Sequence, residues 1–81
     1  MEFTLRGNDY NLDRPDVEKV MKGVLPEPIR QYFIEVNGEK YPPKQVLAES
    51  LRLGRVEFTT MDASSILKRL GFKLNQIKRK S

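Results

Sequence analysis

The sequence contains no cysteine and no histidine. Without cysteine there is no disulfide, no thiol nucleophile and no zinc finger, and without histidine the commonest general base and metal ligand is missing. The acids do not replace them. The 11 Asp and Glu residues are scattered, with no cluster at metal-ligand spacing, and the chain has no glycine-rich phosphate loop after a strand and no Gly-x-Ser-x-Gly elbow. Tyr41 and Lys44, on either side of Pro42-Pro43, are the one juxtaposition of reactive side chains, and a packed tyrosine beside a solvated lysine accounts for it. The expectation is a protein that is not an enzyme and takes no metal or cofactor. Long apolar runs are missing as well, none approaching the roughly 18 residues that a membrane span needs. The opening Met1-Glu2-Phe3-Thr4-Leu5 lacks the basic-then-apolar pattern of a secretory signal. The expected location is therefore cytoplasmic, with no membrane partner.

What is present suits one small globular core: 81 residues, 38% hydrophobic and 32% charged. Residues 1–77 are expected to form a single α+β domain and residues 78–81 a basic C-terminal tail. The charge is unevenly placed. From Asp62 to Ser81, Lys68, Arg69, Lys73, Lys78, Arg79 and Lys80 stand against Asp62 alone, a balance of +5, whereas residues 1–61 carry nine basic and ten acidic residues, a balance of −1. The net charge of +4 thus comes entirely from the last quarter of the chain. Such asymmetry fits polyanion binding, and a terminal Lys-Arg-Lys also fits a solvated tail.

The local patterns outline the elements. Phe3 and Leu5 mark a short strand, and Gly7 to Asn11 read as a turn. Asp13 is placed as an N-cap with Pro15 in the first turn, and Val17, Val20, Met21 and Val24 share one face of a helix that Pro26 and Pro28 should stop near Leu25. Gln31 to Val36 reads as a strand, Asn37-Gly38 as a type I′ hairpin turn, and Glu39 to Tyr41 as the return strand. Pro43 opens a second helix, with Val46, Leu47, Ser50, Leu51 and Leu53 inward, Gln45, Glu49 and Arg52 outward, and Gly54 as its stop. After a connector from Arg55 to Phe58, Thr59 and Asp62 resemble a capping box. In the third helix Ala63, Ile66, Leu67 and Leu70 face the core, Gly71-Phe72 supplies a Schellman ending, and residues 72–77 suggest a closing strand. The fold expected is three helices on a small antiparallel sheet carrying an Asn-Gly hairpin, an order that also admits a winged-helix arrangement.

The third helix holds the most informative face. Met61, Ser64, Ser65, Lys68 and Arg69 are expected to point away from the core, and the amides after Thr59 and Thr60 to be free to donate, with both hydroxyls adding contacts. Small polar residues leading into positive charge suit close approach to a nucleic-acid backbone. The candidate contact set is Thr59, Thr60, Ser64, Ser65, Lys68, Arg69, Lys73, Lys78, Arg79 and Lys80. The second and third helices can also form a helix-turn-helix, with the Asn37-Gly38 hairpin as its wing. A non-catalytic DNA-binding module, with backbone-dominated contacts, is the reading these features favour. The alternative is a protein-protein interaction module whose basic tail is incidental.

The order of signals from Arg30 to Phe72 resembles the N-terminal head-like domain of McrA-type, modification-dependent HNH restriction endonucleases. The resemblance rests on Tyr32 in a strand, the run Val36-Asn37-Gly38-Glu39-Lys40-Tyr41-Pro42-Pro43-Lys44, an apolar helix, Glu57-Phe58-Thr59, Leu67 and Leu70-Gly71-Phe72, about half the chain. It implies an accessory DNA-binding or interaction module of a restriction or defence protein. The HNH nuclease and the modified-base reader of the full enzymes have no counterpart here, so neither cleavage nor modified-base recognition carries over.

Overall fold

The computed structural model describes residues 1–54 and 57–77. Three helices and five strands follow in the order β1 (Glu2–Leu5), β2 (Asn8–Asn11), α1 (Arg14–Val20), β3 (Tyr32–Val36), β4 (Glu39–Tyr41), α2 (Pro43–Leu51), α3 (Thr60–Arg69) and β5 (Leu74–Gln76). This is the expected α+β class. The strands form two antiparallel sheets rather than one: a β1-β2 hairpin, and a sheet in which β3 lies between β4 and β5.

The extra sheet comes from a turn the sequence disguises. Arg6 and Gly7 adopt φ of 53° and 81°, nearly repeating the 53° and 82° of Asn37 and Gly38, so both hairpins close through positive φ at two central residues. Residues 8–11, expected as a turn, are therefore a strand paired from Glu2↔Asn11 to Leu5↔Asn8. Phe3 and Leu5 turn into the core, while Tyr10 stacks on Phe3 at 5.8 Å between ring centroids.

In β3, Ile34 and Val36 face the core and Phe33 faces the other way, with the Lys40 ammonium 5.2 Å from its ring centroid. The Asn37-Gly38 turn forms as expected, but it does not stand clear as a wing. Asn37 donates through Nδ2 to the Glu18 carbonyl at 2.8 Å, fastening the hairpin tip to α1.

The first helix is shorter than its periodicity suggests, ending at Val20 rather than near Leu25. Val24 lies beyond it and Val20 is 39% exposed, so only Val17 and Met21 of the expected four-residue stripe are fully buried. The stop is set by tertiary contacts ahead of the prolines. The Tyr41 hydroxyl lies 2.8 Å from the Val24 carbonyl, to which it donates, and 3.3 Å from that of Met21, at the point where Gly23 takes φ of 77°. Gln45 then holds the chain that follows, donating to the Leu25 carbonyl at 2.9 Å and accepting from the Glu27 N–H at 2.8 Å. Burial, reinforced by the Glu39 carboxylate, pushes the Tyr41 phenol above its usual pKa and keeps the donating proton in place.

Gln45 was expected on the outer face of the second helix and is instead 2% exposed. The reason is that α2 packs against α1, α3 and β3 together, which buries far more than one stripe. Its stop also differs: Arg52, not Gly54, takes the left-handed conformation at φ 58°, and Leu53 N–H returns to the Ala48 carbonyl at 3.0 Å. The connector residues Arg55 and Val56 lie outside the described residues. At the far end of α3 the expected Schellman motif is complete, with Phe72 N–H bonded to Leu67 O and Gly71 N–H to Lys68 O, each at 3.0 Å. Arg14 secures this corner by donating to the Gly71 carbonyl at 2.9 Å and lying 4.6 Å from the Phe72 ring centroid.

A Cβ added at Gly38 would meet open space, so a substitution there is penalised by backbone conformation alone. Gly38→Val is expected to lower stability by about 1 kcal/mol or more, and Gly38→Asn by distinctly less, in chemical denaturation. Equal losses would show that something other than positive φ sets the cost.

Candidate nucleic-acid interface

The start of α3 is built as expected but occupied differently. Thr59 Oγ1 accepts from the Asp62 N–H at 3.1 Å, and the Asp62 carboxylate accepts from the Thr59 N–H at 3.0 Å, completing the capping box. The Thr59 N–H holds the Asp62 carboxyl below the usual carboxylate range; the Thr59 hydroxyl and the Arg6 guanidinium, 3.9 Å away, lower it further against the opposing effect of desolvation. A negative charge belonging to the chain thus already sits at the positive end of the helix. Of the amides after Thr59, that of Asp62 is engaged, and an incoming phosphate would meet the Asp62 carboxylate beside it.

The positive charge collects at the other end of the helix. Ser65, Lys68, Arg69 and Lys73 are exposed, and among the described residues none of the three cations has a carboxylate within ion-pair distance. Met61, Ser65, Lys68 and Arg69 line a shallow groove of about 450 Å³ that Leu74 of β5 closes on its other side. Thr60, half-buried, faces a second and larger groove. Lys78, Arg79 and Lys80 lie outside the described residues.

Ser64 is the residue that the sequence misplaces. Expected to face solvent with Ser65, it is 2% exposed. It lies about 110° around the helix from the centre of the Ala63, Ile66, Leu67 and Leu70 stripe, at about 100° per residue. Because α3 packs on both α2 and β5, the buried arc reaches that far round. Its hydroxyl has no hydrogen-bond partner, the one buried side-chain polar atom left so among the described residues. Ser64 nevertheless lines the same groove as Ser65 and Lys68.

Sequence reasoning missed the second groove. It measures about 840 Å³ and is lined by the chain before β3, Tyr32, Pro42, Lys44, Thr60 and Met61. Its parts come from three separate stretches of chain, and Tyr32 and Lys44 carry no local signal that would join them. Among the described residues no three acidic side chains gather where a metal ion would sit, and no helix is long and apolar enough to cross a membrane.

Two outcomes test this reading of the helix start. Thr59→Ala should cost about 1 kcal/mol in denaturation experiments, with Thr59→Ser close to wild type. Asp62 is also an acid-side stabiliser: its lowered folded-state pKa means its contribution is complete above the unfolded value of about 3.9 and is lost as pH falls through the folded one. The melting temperature of Asp62→Asn should therefore fall less steeply than that of wild type below about pH 4. Parallel acid limbs would place the charge of Asp62 outside the folding equilibrium.

Neither the curated proteins nor the solved structures compared with the chain give a match. A family model described as SCO5918-like matches residues 4–81. With nearly its whole length matched, the chain belongs to the SCO5918-like family.

Proposed function

We propose that the chain is a non-catalytic nucleic-acid-binding module that contacts a polyanion through Ser65, Lys68 and Arg69 of α3 and through Lys73, with Lys78, Arg79 and Lys80 extending the contact. The observation that carries this reading is the grouping of exposed cations at one end of α3: Lys68 and Arg69 border the same groove as Ser65, Lys73 follows just after the helix, and none of the three has a carboxylate within 4 Å among the described residues. Exposed cations beside small hydroxyl side chains suit phosphate oxygens, which demand charge but little shape. Contact is thereby shifted from the start of α3, where Asp62 repels anions, to its end.

Association with a restriction or defence protein is part of the same proposal and rests on the Arg30 to Phe72 order of signals. A protein-protein interaction module remains the competing reading, and the same experiment separates them.

Binding of duplex DNA near 50 mM salt should weaken as salt rises, log K changing by about −0.9 per log salt for each phosphate neutralised. Replacing Lys68 and Arg69 with alanine should make the slope shallower by about 1.8, and removing Lys78 to Ser81 by about 2.7, with little change in melting temperature. No binding at low salt, or binding indifferent to both changes, would favour the interaction module and leave the basic C-terminus a solubility feature.

A further inference from the structure

Two grooves meet at one side chain. Met61, 66% exposed, lines both the 840 Å³ groove beside Tyr32 and the 450 Å³ groove beside Ser65. The two hollows adjoin at Met61 and neither is lined by Asp62; taken together they form a track from the chain before β3, past Thr60 and Met61, to Leu74 of β5. Lys44 and Arg30 line the first half and Lys68 and Arg69 the second, with Glu27 the one acid lining it among the described residues.

We infer that this track takes a single strand of nucleic acid, with an unstacked base against Tyr32. The inference rests on the nucleic-acid reading above and names the form of the ligand. Concave shape is the first reason. A duplex presents its phosphates on a convex surface and meets a protruding helix or ribbon, whereas a single strand can lie inside a hollow. The second reason is the alternation of chemistry along the track. Tyr32 is half-buried at the start of β3, on the side of Ile34 and Val36 but beyond the packed core, so its ring borders the groove among Pro42, Lys44 and Met61. An aromatic face and a thioether beside lysines match a strand whose flat bases alternate with phosphates. The third reason is Ser64. The residue borders the second half of the track, and its hydroxyl, buried and without a partner in the protein, gains a phosphate oxygen or a base carbonyl as acceptor once the side chain turns outward.

The protein contains three tyrosines and no tryptophan, and neither Tyr10 nor Tyr41 lines the track, so the part of the emission change that Tyr32→Phe removes is the part that reports on Tyr32. The experiment titrates the full chain with a mixed-sequence oligonucleotide of about ten nucleotides, single-stranded and then annealed to its complement, following anisotropy and tyrosine emission. The single strand should bind at least several-fold tighter than the duplex and quench the emission. Tyr32→Ala should weaken single-strand binding about ten-fold and leave duplex binding unchanged, while Tyr32→Phe should bind within about two-fold of wild type and lose most of the quenching. The Phe variant and a thermal melt separate loss of stacking from loss of fold. Duplex binding as tight as single-strand binding, with Tyr32→Ala without effect, would overturn the single-strand track and leave the basic face standing. No binding of either form would overturn both. Displacement of the oligonucleotide by polyglutamate at equal charge concentration would overturn the track in favour of an acidic polypeptide.

Discussion

The hydroxyl of Tyr41 is the interaction on which the arrangement of this small protein depends. It sits on the last residue of β4, almost wholly buried, and reaches the carbonyls of Met21 and Val24 just beyond α1. Two consequences follow. The chain after α1 is held without secondary structure of its own, since Tyr41 and Gln45 supply the hydrogen bonds that a helix or sheet would otherwise provide. The sheet, α1 and α2 are also locked in register around one polar contact that must be satisfied once it is buried.

That lock fixes the candidate site. Pro42 and Pro43 follow Tyr41 directly, so α2 starts where the phenol is anchored, and Lys44 is carried to the edge of the groove beside Tyr32. On the other side of that groove α3 begins with a closed capping box, which turns its first turn into a structural device and leaves its last turns to carry free positive charge. Phe72 and Arg14 then hold the end of α3 against α1, and Leu74 of β5 borders the smaller groove beside Ser65, Lys68 and Arg69. The same contacts that close the core therefore shape the hollow surface beside it.

Local chemistry was legible wherever one residue type dictates one conformation. Asn37-Gly38, Pro43, the Thr59–Asp62 box and Gly71-Phe72 all lie where their backbone preferences place them. The β1-β2 turn was hidden because Arg6, not asparagine, occupies the first left-handed position, and only Gly7 hints at it. Helix faces were read less well, since a periodic stripe assumes burial on one side. Gln45 and Ser64 are buried by second and third packing partners that no local window contains. The site shows the same division: Lys68 and Arg69 were found from helical spacing, while the groove joining Tyr32, Lys44 and Met61 is assembled by tertiary structure alone.

The most direct test of a binding face along α3 and β5 is amide chemical-shift mapping of the full chain as a short oligonucleotide is added near 50 mM salt. The expected result is a contiguous set of shifts at Tyr32, Met61, Ser65, Lys68, Arg69 and Lys73, reversed by added salt as counterion release requires. Shifts centred instead on the opposite sheet face, at Phe33, Glu35 and Lys40, or on α1, would contradict it, as would a spectrum that the oligonucleotide leaves unchanged.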